Sequence, residues 1–196
     1  MIVGYQGIEG AFSHIASKIL YPNEQKNNFS SFRDVFQALE SNKIDIGVVP
    51  IENSYTGKIE QTNTLIGKFN VNIINKIYLP IHHNLAGVDG ARLNTITHVF
   101  SHKQALLQCA KQLKKILPHA QLVEKENTAM SANFVSNSKN KHYACLCSDE
   151  AVDKFDLNKL YSNMQDKDDN CTLFIAISAM LNFSLDFYNQ YIIKLV

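Results

Sequence analysis

Short apolar runs recur along the chain, each closed by glycine, proline or a polar cluster and most followed by a stretch with helical spacing. Such alternation restricts a chain to α/β architectures, because runs of that length are buried in a sheet whose faces the intervening helices cover. Met1 to Tyr5, Ile44 to Pro50, Thr97 to Phe100, Gln121 to Val123, His142 to Cys147 and Thr172 to Ile177 read as strands. Helical spacing runs from Ala11 to just before Tyr21, and from Phe32 to Ser41, where Val35, Phe36 and Leu39 form one stripe. Further helices are expected from Lys58 to Gly67, Ser101 to Leu113, Thr128 to Val135 and Ser148 to Lys154. Val71 to Leu85 is β-rich and longer than an ordinary strand, which suits a passage from one lobe to another. We therefore expect two α/β lobes of mainly parallel sheet with a cleft between them. In open α/β sheets ligands lie at the carboxyl ends of strands, against helix N-termini.

Charge and composition remove several classes of function. Nineteen basic residues against eighteen acidic leave a formal charge of +1, without the basic field that nucleic acid demands. The most apolar stretch, Phe174 to Phe183, is too short and too interrupted to span a bilayer. Met1 does not open a basic segment followed by an apolar one, so no secretory signal is expected and a cytoplasmic location is. Cys109, Cys145, Cys147 and Cys171 read as reduced thiols, and one C-x-C without a second pair is thin support for zinc. The seven histidines are scattered, and His82 and His83 face opposite ways if extended. No metal, nucleotide or flavin is expected.

Polar clusters fall at the expected helix starts: Ser13, Asn53 with Ser54, Ser101, and Thr128. Helix N-termini carry unpaired N–H groups and hold anions without arginine, and the chain has only Arg33 and Arg92. Singly, Ser13 and Thr128 are explained as caps. The segment Pro50 to Gly57 is more elaborate than a cap requires, and Glu52 within it is equally suited to a solvated carboxylate. Together the clusters suit a small acid with one or more carboxylates. No nucleophile elbow, dinucleotide fingerprint or phosphate loop accompanies them.

Several stretches resemble the prephenate dehydratase family. Gly4 to His14 (GYQGIEGAFSH) is similar to its opening strand and G-x-x-G turn, and Val48 to Gly57 (VVPIENSYTG) to its distinctive P-I-E-N-S-x-x-G. Leu79 to Ile81, Ser101 to Ala105 with Gln108 and Cys109, and Thr128 with Ala129 match in order, and Asn170 to Phe174 (NCTLF) is similar to the closing N-x-T-R-F. Three features depart from the pattern. Leu173 stands where the family has arginine, Thr64 stands where an acidic residue is usual, and only Ser178 to Val196 follow the last strand. That remainder is too short for the ligand-sensing ACT domain.

The resemblance implies one catalytic domain with a fold similar to type II periplasmic-binding proteins. One lobe takes about residues 1–78 plus 172–196 and the other about 79–171, with no ACT domain and no feedback inhibition by phenylalanine. It implies a carbon–oxygen lyase of phenylalanine biosynthesis, removing carbon dioxide and water from the dicarboxylate prephenate to give phenylpyruvate. Thr172 is then the donor to the departing hydroxyl. Ser13, Glu52, Asn53, Ser54, Gly57, Ser101, Gln104 and Asn170 are substrate-binding residues, with Asn170 positioning Thr172. No cofactor, nucleic acid or membrane is implied, and a homo-oligomer, dimer or tetramer, is, with Tyr191 to Val196 a candidate contact. The absent arginine leads to the expectation of activity with weakened substrate affinity. Alternatives are an arogenate dehydratase, a non-aromatising prephenate decarboxylase, or a catalytically weakened binding protein.

Overall fold

The computed structural model describes residues 1–179, and the tail at 191–196 lies outside them. Two sheets divide the chain. The first is built from β1 (Ile2–Gln6), β2 (Gln25–Phe29), β3 (Ile46–Asn53), the short β4 (Gly57–Lys58), β5 (Val71–Pro80) and the last strand, β11 (Cys171–Ala179). Its order is β2-β1-β3-β11-β5, with β4 pairing β3. The second holds β6 (Asn84–Gly87), β7 (His98–Ser101), β8 (Gln121–Glu124), β9 (Tyr143–Cys147) and β10 (Asn158–Tyr161), in the order β10-β6-β9-β7-β8. The chain thus enters the second sheet after β5 and returns through β11.

Neither sheet is mainly parallel, contrary to the expectation from βα alternation. β1 runs parallel to β2 and β3, but β11 is antiparallel to both of its neighbours. In the second sheet β6 is antiparallel to β9 and β10, while β7 runs parallel to β8 and β9. Apart from the hairpin strand β4, the exceptions are the strands at the two crossings, β6 and β11, which enter without a preceding helix to set their direction.

The helices are α1 (Phe12–Leu20), α2 (Phe32–Glu40), α3 (Glu60–Ile66), α4 (Lys103–Gln108), α5 (Ala110–Ile116), α6 (Thr128–Ser138) and α7 (Asp149–Lys154). Val35, Phe36 and Leu39 of α2 pack with Val49, Ile175 and Ile177, so the stripe seen in the sequence is the face laid on β3 and β11. The single helix expected from Ser101 to Leu113 is two, interrupted at Cys109, whose φ of −112° and ψ of 10° leave the helical region. Besides the two-residue β4, which the helix expected from Lys58 overlaps, two strands have no counterpart in the sequence expectation. β2 (QKNNF) and β10 (NKLY) are polar edge strands with no apolar run to reveal them.

Two local features fix the cleft. Pro50 sits inside β3, where β11 pairs Leu173 with Glu52 but Phe174 with Pro50, leaving Ile51 as a bulge. Proline is tolerated within a sheet at such a bulge, and the extra residue re-aims the end of the strand. The turn after β1 reaches across to the other lobe. Gly10, at φ +88°, accepts a 2.7 Å hydrogen bond from Ser148 Oγ at its carbonyl oxygen, and a Cβ there would lie 2.8 Å from Ala151 Cα. Ala11 and Ile8 join the second lobe's core beside Ala129 and Ala151.

Candidate active site

A cavity of about 410 Å³ opens between the lobes. Its first-lobe wall includes Gln6, Phe12, Ser13, Ser31, Asn53, Thr172 and Phe174, and its second-lobe wall includes His83, His102, Gln104, Gln108, Glu126 and Thr128. Neither lysine nor arginine lines it, and Glu126 is its sole carboxylate among the described residues.

Helix starts face this space from both lobes. α2 is closed by a capping box between Ser31 and Asp34, and α6 is capped by Asn127, whose Oδ1 accepts from Met130 N at 2.7 Å. α1 differs: its N-cap is Ala11, which offers no side-chain acceptor, so its first N–H groups have no cap from that residue. Ser13 lies in this first turn rather than capping it.

Thr172 and Asn53 are direct partners across β11 and β3. Asn53 Nδ2 donates to Thr172 Oγ1 at 2.9 Å, to Asn170 Oδ1 at 3.0 Å and to the Cys171 carbonyl at 3.1 Å. Asn53 Oδ1 accepts from Tyr55 N at 2.9 Å and from Gln108 Nε2 at 3.4 Å. Asn170 Nδ2 donates in turn to Gln108 Oε1 at 3.1 Å. Since Thr172 Oγ1 accepts from Asn53, its own hydrogen is free to donate elsewhere.

Of the residues singled out by sequence, Ser13, Asn53, Gln104, Thr128 and Thr172 line the cavity, whereas Glu52, Ser54, Gly57, Ser101 and Asn170 do not. Asn170 stands behind the wall, its side chain bonded to Asn53 and Gln108, and so reaches Thr172 only through Asn53. Ser101 is not at a helix start. It is the fully buried last residue of β7, its Oγ donating to the Leu146 carbonyl at 2.9 Å, and His102 takes the cap position of α4. Asn53 and Ser54 also precede no helix, because β3 continues through Asn53. Ser54 Oγ donates to the Asp169 carbonyl and accepts from Cys171 N, both at 3.0 Å, clasping the two strands together. Glu52 points to solvent opposite Lys58, and Gly57 turns the chain at φ +70° with open space around its Cα. Leu173 alternates with Thr172 and Phe174, which line the cavity while it does not, and its strand neighbours are Glu52 and Tyr78.

Two further wall residues, neither expected to bind substrate, are linked by hydrogen bonds to the Asn53–Thr172 pair. Gln108 follows Gln104 by four residues, a spacing that puts both on one helical face. His83 carried no such signal. It is buried at 2% exposure, its Nε2 lies 3.2 Å from Gln108 Oε1, and its ring meets Phe12 edge-on at 5.6 Å. Burial pushes its imidazole down to about 4 and also lowers His102, so both are neutral at pH 7. Among the described residues no group of three or more His, Cys, Asp or Glu could hold a metal ion, and no helix is long and apolar enough to cross a membrane.

The sequence matches the family model described as prephenate dehydratase over residues 3–181. The chain belongs to the prephenate dehydratase family. Within curated relatives, it is 33% identical over 176 residues to arogenate dehydratase 5, chloroplastic, of Arabidopsis thaliana, covering 90% of this chain and 41% of that protein. Arogenate dehydratase/prephenate dehydratase 6, chloroplastic, of the same plant is 33% identical, with 90% and 43% covered. The chain thus spans less than half the length of these relatives. A prephenate dehydratase from Arthrobacter aurescens, solved in complex with L-Phe, has the same fold, with a TM-score of 0.85 at 24% identity, covering 92% of this chain and 61% of that one.

Proposed function

We propose that the chain catalyses the decarboxylating dehydration of prephenate to phenylpyruvate, with Thr172 as the donor to the leaving hydroxyl. The observation that carries this reading is the 2.9 Å bond from Asn53 Nδ2 to Thr172 Oγ1 on the cavity wall. The ring carboxylate leaves as carbon dioxide, its bonding electrons complete the aromatic ring, and the C–O bond breaks toward hydroxide, which takes up one proton to become water. A threonine hydroxyl is a weak acid. Its contribution is a hydrogen bond that shortens as the oxygen gains charge, while Asn53 steadies the charge reaching Oγ1. Apolar lining from Phe12, Ile81 and Phe174 gives the ring carboxylate a drier setting, which disfavours its localised charge before that charge disperses. The uncapped start of α1 beside Ser13, together with Gln104, supplies neutral donors for the side-chain carboxylate.

One observation favours arogenate as a second substrate. Arogenate carries an ammonium where prephenate carries a ketone, and the cavity presents Glu126 with no lysine or arginine to oppose it. Four free cysteines fit the reducing cytoplasm, and self-association as a dimer or tetramer belongs to the same reading, measurable by sedimentation. The purified chain is to be incubated separately with prephenate and arogenate. Phenylpyruvate, read by its enolate absorbance after alkali, or phenylalanine, read by chromatography, is the expected product. Release of carbon dioxide with a non-aromatic product would replace this reading by simple decarboxylation, and no turnover of either substrate would leave a binding protein.

A further inference from the structure

The three amides behind Thr172 form a closed ring. Asn53 Nδ2 donates to Asn170 Oδ1, Asn170 Nδ2 to Gln108 Oε1, and Gln108 Nε2 back to Asn53 Oδ1, at 3.0, 3.1 and 3.4 Å. Such a ring closes equally well in two senses, because turning every amide over exchanges all donors and acceptors. The sense decides what Thr172 can do. In the observed one an N–H of Asn53 meets Thr172 Oγ1 and the hydroxyl hydrogen is free. In the reverse one a carbonyl oxygen would meet it, and the hydroxyl would turn its hydrogen toward Asn53.

At Asn53 the sense is fixed by two backbone groups that have no alternative role. Tyr55 N–H can only donate, and it reaches Asn53 Oδ1 at 2.9 Å; the Cys171 carbonyl can only accept, and it lies 3.1 Å from Asn53 Nδ2. Gln108, at the opposite corner, has no backbone bond to its amide among the described contacts. Its outer partner is His83, whose Nε2 stands 3.2 Å from the Oε1 that already accepts from Asn170. An acceptor at that point requires a donor opposite it.

We propose that His83 is a positioning residue, the neutral Nε2–H tautomer, which holds the Gln108 corner of the amide ring in the sense that the backbone partners of Asn53 set, and so helps keep the Thr172 hydrogen directed into the cavity. The same assignment leaves Nδ1 as a bare lone pair, and His83 Nδ1 is indeed a buried atom with no hydrogen-bond partner. A buried acceptor in that state costs less than a buried N–H, so the environment on both sides of the ring selects one tautomer. Neutrality follows from burial, which disfavours the imidazolium. The role rests on the reading of Thr172 as hydrogen donor, and the test separates the two.

The first measurement is the ¹⁵N–¹H correlation spectrum of the histidine side chains of the intact protein at pH 7, assigned with the His83→Gln variant. The expected pattern for His83 is a protonated Nε2 and an unprotonated Nδ1; the opposite tautomer or an imidazolium overturns the proposal. The second is steady-state kinetics with prephenate. His83→Leu, which cannot donate to Gln108, is expected to lower kcat about tenfold, the effect of one lost orienting bond, with KM changed less than about twofold. His83→Gln, which keeps a donor, is expected to restore most of kcat. Equal losses in both variants that follow their melting temperatures would make His83 a packing residue and overturn the proposal. An unchanged kcat in His83→Leu, with Thr172→Val inactive, overturns this inference alone, whereas an active Thr172→Val removes the reading beneath it.

Discussion

Replacing Thr172 by valine removes one hydroxyl and nearly nothing else, so its effects on rate and on stability can be worked out separately. The deleted oxygen accepts from Asn53 Nδ2 at 2.9 Å, but that nitrogen keeps Asn170 Oδ1 at 3.0 Å and the Cys171 carbonyl at 3.1 Å. No buried donor is orphaned, and the stability loss should be about 1 kcal/mol or less, a fall of roughly 2–4 °C in Tm. The rate should respond on a different scale. Loss of a positioned donor to a leaving group typically costs about 10²–10⁴-fold, or roughly 3–5 kcal/mol of barrier. Thr172→Ser retains the oxygen and should keep most of the activity. The assay is phenylpyruvate formation at saturating prephenate, with a thermal melt of each variant. A valine variant within about threefold of the parent kcat would refute the argument, since no general acid worth that little is needed.

Other consequences can be measured on the same preparations. Asn53→Asp replaces the N–H facing Thr172 with an acceptor, so the hydroxyl hydrogen turns inward and kcat should fall about 100-fold or more; activity within about tenfold would count against the donor role of Asn53. Leu173→Arg places its guanidinium opposite Glu52, outside the cavity, so kcat/KM should change less than about threefold while the cross-strand pair adds up to about 1 kcal/mol of stability in urea melts. A large gain in kcat/KM would show that an arginine there reaches the substrate after all. Stability should fall on acidification: burial holds His83 at about 4 against its ordinary 6.5, so the unfolded chain takes the proton first as pH drops below 6.5. Between pH 7 and pH 5 that linkage removes about 2 kcal/mol, a slope that His83→Gln should flatten. Burial lowers His14 and His102 too, so they act in the same direction.

Much of this organisation was legible in the sequence where burial imposes periodicity. The stripe of α2 and the strand character of Thr172 to Ile177 follow from residue spacing, because each element buries one face, whereas the cap of α6 is Asn127 and not Thr128. Strand direction was not legible. β6 and β11 carry no mark of being antiparallel, since direction is set by which sheet the chain is crossing into. β2 and β10 were invisible because an edge strand needs no apolar run. The site was half legible for a related reason. Asn53, Thr172, Ser13 and Gln104 announce themselves as polar residues at element ends, and Asn170 sits beside a strand start. Ser101 and Ser54 have the same appearance yet serve the backbone, and only their partners, Leu146, Asp169 and Cys171, tell them apart. His83 was dismissed for lacking a metal-binding neighbour, and its partner Gln108 lies 25 residues away.

The turn from Gly7 to Ala11 has a consequence for how the molecule moves. A small side chain from one half is embedded in the hydrophobic interior of the other, and Gly10 lies against the α7 backbone with no room for a methyl group. Swinging the halves apart would extract Ala11 from the second core and break the hydrogen bond from Ser148, so opening the gap carries a free-energy cost that Ala11→Gly and Ser148→Ala should lower.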